Sequence, residues 1–352
     1  MHTKSNPQKE NSNNSKKPSI IDVAKLAGVS PGTVSNALNS SGYVKSSTKE
    51  KVLHAIKELN YIPNRAGRIL KTNKTNLIML AVPDTSNEIY FRMIESVQEY
   101  MKPKGYSILL YYTNGTLQEE LRTLFLLRER VIDGLILVHF SYNEELFQAI
   151  ESSNSPVVLI SMCNHLWAGK GNPFDTISVD VHRGIYESTK HLINMGHSKI
   201  GYLAGKKGLT VYEQRYNGYC QALNDAGIKY RNDYVMWNDY TILAGNNSSR
   251  SLLLLQDKPT AICASNDHQA LGSWQALQDM NIAVPSEIAL VGMDNIISSK
   301  IIGLTSFDMH EDIMGNEAAK LLYSHLEENS NTFKDIYLVP SIRLRNSSIK
   351  LK

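Results

Sequence analysis

The 352-residue chain has only three cysteines, Cys163, Cys220 and Cys263, set far apart and without a CxxC pair. That scarcity excludes a disulfide framework and a cysteine-based zinc site. Histidines do not replace them: His191, His197 and His268 are not at ligand spacing and read as surface or helix-end residues, so no metal is expected. No run of about 18 apolar residues occurs, which leaves no membrane span and no membrane partner. The opening segment, MHTKSNPQKENSNNSKKP, lacks the apolar centre of a secretory signal, so a cytoplasmic protein is expected. Catalytic motifs are missing as well. There is no GxSxG elbow, no HExxH and no P-loop, and the first strand-like run continues into VPDTSNE rather than GxGxxG. Neither an enzyme nor a bound cofactor is the expectation.

What the chain has is an uneven charge. The net value is only +3, yet residues 1–75 hold 13 Lys+Arg against 4 Asp+Glu, leaving 24 against 30 for the rest. A basic head of +9 on an acidic body of −6 suits a polyanionic partner at one end. Hydrophobic and charged fractions of 42% and 20% are those of a globular chain with two or three domains. Residues 1–18 read as a disordered basic tail.

The head is organised by residues 19–39. Ile20, Val23, Ala24 and Ala27 recur at helical spacing, with Ser19 as N-cap and Asp22 in the first turn. Gly28 stops this helix. Ser30 caps a second, Pro31 fits its first position, and Val34, Ala37 and Leu38 face back to the first. Two short helices joined by a glycine turn describe a helix-turn-helix, although a helical hairpin in some other small bundle would read alike. Small or polar residues on the outer face of the second helix can lie in a DNA major groove. Ser47 with Glu50 fits a capping box for a third helix over 47–59, whose Val52, Ile56 and Leu59 close a three-helix core. Beyond Pro63, Asn64 can cap a two-turn basic helix from Arg65 to Lys71, too short to hold its shape alone in water.

Residues 19–74 resemble the lactose-repressor (LacI/GalR) family of bacterial transcription regulators. The resemblance rests on DVAKLAGVS, TVSNALN, KVLHAIKELNYIPN and RILKT. It implies a DNA-binding domain over 19–62 and a hinge helix and linker over 63–75. Two hinge helices, one per subunit, would enter the minor groove of a pseudo-palindromic operator, with Leu70 matching a leucine that wedges open a base step. The DNA-facing residues it implies are Ser30, Pro31, Gly32, Thr33, Ser35, Asn36, Asn39, Tyr61, Asn64, Arg65, Arg68, Leu70 and Lys71. This chain departs from the pattern at Asn36, where many members carry Arg, and at Gly67, where they carry Ala. Asn suits adenine and Arg guanine, so an altered half-site is expected. Gly67 makes the hinge costlier to order by roughly 1 kcal/mol. Pro31 and Gly32 offer almost no hydrogen-bonding side chain, so much of the affinity should come from phosphates.

From residue 76 short apolar runs alternate with helical patterns. The runs are 77–82, 107–112, 134–139, 157–161, 199–204, 260–264 and 288–292; helical stretches include 89–101, 117–130, 184–195, 215–226, 269–280 and 312–326. That alternation implies parallel sheets, and its length suits two lobes. The resemblance continues through VDVHRGIYESTKHLINMGHSKIGYLAG, RYNGYCQAL, SNDHQALG and VPSEIALVGMDN. It implies a periplasmic-binding-protein-like α/β body of two Rossmann-like lobes, 76–179 with 307–339 and 180–306 with 340–352, and crossovers near Val179, Ser306 and Val339. Such a body binds an effector at the carboxyl ends of its strands and dimerises. The candidate effector residues are Tyr90, Phe91, Arg215, Tyr240, Asn266, Asp267 and Asp294. Carboxylates, amides and Arg215 can hydrogen-bond hydroxyls in both directions while aromatics stack on an apolar face, so a carbohydrate is favoured. Each has a blander role open to it: Arg215 and Asp294 as a structural ion pair, Asn266 and Asp267 as helix caps, the aromatics as core. The expected protein is a homodimeric repressor controlled by a small molecule. A protein co-effector, such as a sugar-transport phosphocarrier, is the first alternative, and a stand-alone ligand-binding protein the second.

Overall fold

The computed structural model describes residues 17–39, 43–63, 67, 69, 72–162, 173–328, 330 and 332–349, without the side chain of Asn39. The expectations for residues 1–16, for Asn64, Arg65, Arg68, Leu70 and Lys71 of the hinge, and for Cys163 lie outside the described residues. The chain divides into two compact units, Met1–Lys74 and Thr75–Lys352.

In the first unit, α1 (Ile20–Ala27) begins with a reciprocal cap. The Ser19 amide donates to Asp22 Oδ2 at 2.8 Å, and the Asp22 amide donates to Ser19 Oγ at 3.4 Å. It ends at Gly28, whose φ of +67° is left-handed. A side chain there would meet nothing within 4 Å, so backbone conformation, not crowding, calls for glycine. Ser30 Oγ accepts from the Thr33 amide at 3.1 Å to open α2 (Pro31–Asn39). The third helix, α3 (Ser46–Glu58), corrects the reading above. It starts a residue earlier, and its N-cap, Lys45, makes no side-chain capping bond, so the expected Ser47–Glu50 box is not used. Asn60, at φ +47°, turns the chain so that the Tyr61 amide bonds back to Ile56 O at 2.9 Å. Val23, Ala24, Val34, Ala37, Val52, Ala55 and Tyr61 form the core. So small an apolar set makes a marginal domain.

The second unit carries two six-stranded sheets. In chain order its elements are β1 (Leu77–Val82), α4 (Ile89–Met101), β2 (Ser107–Tyr112), α5 (Leu117–Arg128), β3 (Gly134–His139), α6 (Glu144–Ser153), β4 (Val157–Ser161), β5 (Asp175–Val179), α7 (Val181–Asn194), β6 (Ile200–Ala204), α8 (Thr210–Asp225), β7 (Val235–Trp237), α9 (Ile242–Leu253), β8 (Ala261–Ala264), α10 (Asp267–Asp279), β9 (Ala289–Asp294), α11 (Ile297–Ile301), β10 (Thr305–Asp308), α12 (Glu311–Glu327), β11 (Asp335–Leu338) and β12 (Ser341–Arg343). One sheet has the order β11-β5-β4-β3-β1-β2 and the other β12-β10-β9-β8-β6-β7. Pairing is parallel except between β10 and β12. Helices cover both faces, which is why β3, β4, β6, β8 and β9 are buried along their whole length and read as unbroken apolar runs.

The chain crosses between the sheets three times: after β5, between β10 and α12, and between β11 and β12. Because β10 stays in the second sheet through Asp308, the middle crossing comes after Asp308, later than the expected 306, and turns at His310 with φ +61°. Of the histidines read as surface or helix-end residues, His191 lies in the last turn of α7 with Nε2 2.8 Å from Ser348 Oγ, while His197 is buried with Nδ1 3.0 Å from Thr260 Oγ1.

Candidate functional site

On the first unit, the outer face of α2 presents exposed Pro31 and Gly32, with Thr33, Ser35 and Asn36 half-buried. The Ser30 and Thr33 hydroxyls lie 2.9 Å apart, so one end of this face is locally ordered. Gly32 needs no special backbone angle, and an added Cβ would meet Ser30 Oγ at an ordinary 3.7 Å. Tyr61 departs from the expected placement on the outer face: it is 9% exposed and packs in the three-helix core.

On the second unit, a cleft of about 530 Å³ opens at the carboxyl ends of the strands between the two lobes. One wall comes from the ends of β2 and β3 and the segments that follow β1 and β3: Asp84, Asn87, Tyr90, Tyr112, His139 and Ser141. The other comes from segments that follow β6 and β7: Leu209, Tyr212, Asp239, Tyr240 and Thr241. The size is that of a small-molecule site.

The predicted effector residues divide. Tyr90 and Tyr240 line the cleft. Tyr212 packs on Tyr240, with ring centres 4.4 Å apart. Burial, and next the Asp294 carboxyl nearby, raise the Tyr90 phenol well above its ordinary range. Phe91 is a correction: it is 48% exposed and lies in a separate surface groove with Ile94, Gln98 and Pro103. Neighbours on a helix point about 100° apart, so Tyr90 and Phe91 cannot both face inward.

Arg215, Asn266, Asp267 and Asp294 are not among the cleft-lining residues but buried in the second lobe. Arg215 Nη1 donates to Ser265 O at 2.7 Å, and its guanidinium carbon lies 5.3 Å from the Tyr240 ring centre. Its Nη2 is 3.8 Å from Asp294 Oδ1, within ion-pair range but too long for a hydrogen bond. Asp294 has a left-handed φ of +114°. Burial pushes its carboxyl up to about 8, with Arg215 pulling it down and Asp267 adding to the rise. Asn266 takes the blander role: its Oδ1 caps α10 through the Gln269 amide at 2.9 Å, while its Nδ2 donates to Tyr240 O at 3.2 Å. Gln269 Nε2 donates to Ala204 O and Asp239 O at 2.9 and 3.0 Å, so this cap also braces the loop that carries Tyr240. Asp267 accepts from the Ile296 amide at 3.0 Å and Ser306 Oγ at 2.7 Å, fixing the turn after β9. Burial lifts its carboxyl to about 6 against those bonds.

Sequence reasoning missed the pair Glu120 and His139. Both are buried, with His139 Nδ1 2.9 Å from Glu120 Oε1. Nε2 of His139 and Oγ of Ser141 have no hydrogen-bond partner among the described residues. The available signal was position: His139 is the last residue of β3, where an α/β sheet meets its ligand. No group of His, Cys, Asp and Glu suited to a metal occurs among the described residues. No helix among them is long and apolar enough to cross a membrane.

Comparison with known proteins accounts for both units. The family model "Bacterial regulatory proteins, lacI family" matches residues 19–64, and "Periplasmic binding protein-like domain" matches 189–348. The chain is 31% identical over 335 residues to the HTH-type transcriptional repressor PurR of Aliivibrio salmonicida (strain LFI1238), covering 94% of this chain and 99% of that one. It is 32% identical over 331 residues to PurR of Pasteurella multocida (strain Pm70), covering 93% and 98%. A solved transcriptional regulator CelR–cellobiose complex aligns with a TM-score of 0.68 at 27% identity, over 94% of this chain and 99% of that one. The lac repressor dimer bound to operator and the anti-inducer ONPF shares the fold, with a TM-score of 0.81 at 24% identity over 95% and 100%. With a helix-turn-helix head, a two-lobed ligand-binding body and relatives spanning nearly its whole length, the chain belongs to the lacI family of bacterial regulatory proteins, DNA-binding regulators of transcription rather than enzymes.

Proposed function

We propose that this chain is a transcriptional repressor that grips a pseudo-palindromic operator as a homodimer and changes its grip when a small molecule enters the cleft between its lobes. The observation that carries the reading is the cleft itself: about 530 Å³, floored by Tyr90, Tyr212 and Tyr240 and edged by polar groups, on a chain that also carries a helix-turn-helix. Such a cavity favours a free small molecule over a phosphocarrier as the controlling partner. Stacking surfaces beside hydroxyl, amide and carboxylate groups suit a carbohydrate, and a relative at 27% identity was solved with cellobiose.

DNA contacts are assigned to the exposed face of α2, with Ser30, Pro31, Gly32, Thr33, Ser35, Asn36 and Asn39, and to the hinge residues Asn64, Arg65, Arg68, Leu70 and Lys71. Tyr61 is withdrawn from that set. One head reads one half-site, so two heads are needed. Exposed apolar side chains give the body surfaces to pair with: Leu109, Leu110 and Tyr112 on edge strand β2, and Leu243, Ile297 and Ile301 on the second lobe. A regulator of this kind works in the cytoplasm, on the nucleoid.

The test is selection of bound duplexes from a random library, followed by gel shift with and without a panel of sugars. An inverted repeat, retained by the parent and weakened at least tenfold by Leu70→Ala, supports the reading. Retention of bulk DNA without sequence preference contradicts it.

A further inference from the structure

We propose that Asp133 is a positioning residue that fixes the base of the linker on the body and thereby sets the half-site spacing the protein accepts. This rests on the two-headed reading above. The two units join between Lys74 and Thr75. Immediately beyond that joint, one carboxylate takes three donors from two consecutive residues. Asp133 Oδ1 accepts from the Thr75 amide at 2.8 Å and from the Thr75 hydroxyl at 2.9 Å, and Oδ2 accepts from the Asn76 amide at 2.7 Å. Bonds to a carboxylate are among the stronger hydrogen bonds a protein makes. Thr75 is buried, and its hydroxyl oxygen also accepts from the Leu77 amide at 3.1 Å, so the anchor runs directly into β1.

The acceptor is itself held in place. Asp133 lies between α5 and β3, and its amide donates to Leu77 O at 2.7 Å, which extends the pairing of β1 with β3. Ile132 before it is buried. Gly134 after it packs so closely on α12 that an added Cβ would meet Leu322 Cδ1 at 2.9 Å. On the other side of β1, the Ser107 amide donates to Asn76 O at 2.9 Å. The linker base is thus gripped from both strands that neighbour β1. Edge strand β2 also carries the exposed apolar residues offered to a partner, so in the dimer proposed above both anchors are referenced to one pairing surface. For DNA the scale is decisive. Each tether residue that comes loose adds up to about 3.5 Å of reach. Moving one half-site by a base pair shifts it about 3.4 Å along the duplex axis. Slack from a lost anchor is therefore large enough to blur a difference of one base pair.

The experiment measures binding of the full chain to its selected inverted repeat and to two duplexes whose half-sites sit one base pair closer and one base pair farther apart, with Tm recorded for every variant. The parent should prefer the selected spacing by about tenfold or more, because both heads must engage at once. Asp133→Ala should narrow that preference to about threefold or less, through loss of affinity for the selected duplex. Asp133→Asn keeps one oxygen for Thr75 but turns an amide group toward the Asn76 N–H, and should fall between the two. A merely structural fault lowers binding to all three duplexes alike and leaves their ratio unmoved. A parent-like ratio in Asp133→Asn, or in an Asp133→Ala protein that still melts cooperatively, would overturn the proposal. A parent indifferent to spacing would overturn the two-headed reading and this proposal with it, whereas a parent with the preference and a variant that keeps it overturns this proposal alone.

Discussion

Glu311 shows how individual residues in this body trade stability for position. It is 1% exposed, neither carboxylate oxygen accepts a hydrogen bond, and Arg92 Nη1 approaches Oε2 to 3.2 Å. Burial lifts its carboxyl from 4.5 to about 8. The folded chain therefore holds a proton that unfolding releases, and this side chain's contribution to stability falls as pH rises from about 4.5 to 8. Glu311→Gln carries no such charge. Its Tm should exceed the parent's by more at pH 8 than at pH 5, equivalent to at least about 1 kcal/mol; an equal difference at both pH values would contradict the assignment. Tyr61 makes a second case. If its role is packing, Tyr61→Phe should keep operator affinity, whereas Tyr61→Ala should cost about 3 kcal/mol and unfold the head, read by loss of helical circular dichroism. Gly32 makes a third: Gly32→Ala should stabilise the head by about 0.5 kcal/mol in thermal melts, because the site accepts a Cβ and alanine has less freedom to lose on folding.

At the scale of elements, α4 carries the clearest link between the lobes. Glu88, just before it, accepts from the Ser298 amide at 3.1 Å and from its hydroxyl, across from α11. One turn on, Arg92 meets Asp308, Glu311 and Asp312 at 3.4, 3.2 and 2.8 Å. Asp308 keeps Arg343 as a second partner at 3.1 Å, but Glu311 has no other ion pair among the described residues. Above about pH 8, where Glu311 is ionised, Arg92→Met should therefore cost about 2 kcal/mol, reduced from the cost of breaking a fully buried pair because the guanidinium is partly exposed. Combined with Glu311→Gln the loss should shrink, and strict additivity in that double-mutant cycle would argue against the link. Element by element, legibility followed chemistry. The long strands are visible because both faces are covered and all but the last residue is apolar, as in GLILVH and VVLIS. The short strands β5 and β10 do not read as strands, because most of their buried residues are polar: Asp175, Thr176 and Ser178, then Thr305, Ser306 and Asp308. Those groups are satisfied by tertiary bonds that no local pattern announces, such as Ser306 to Asp267 and Thr305 to Arg345 O. The cleft was half legible for the same reason. Tyr90 and Tyr240 follow strands and face the cavity, but Arg215 and Asp294 look alike from sequence whether they line a site or lie behind one. His139 was overlooked because a lone histidine at a strand end has no spacing to recognise.

For the whole molecule, the charge division sets how it should behave toward DNA. A head of +9 on a body of −6 concentrates attraction at one end, and binding should weaken steeply with salt as phosphate contacts are lost. Only ligand affinity that differs between the gripping and released states can move the equilibrium between them. The most direct test of this account is fluorescence anisotropy of the full chain on its selected inverted repeat, at fixed salt, titrated with each member of the sugar panel. The account predicts that a sugar that fills the cleft changes operator affinity at least tenfold. Identical operator affinity with and without every ligand that fills the cleft would contradict it.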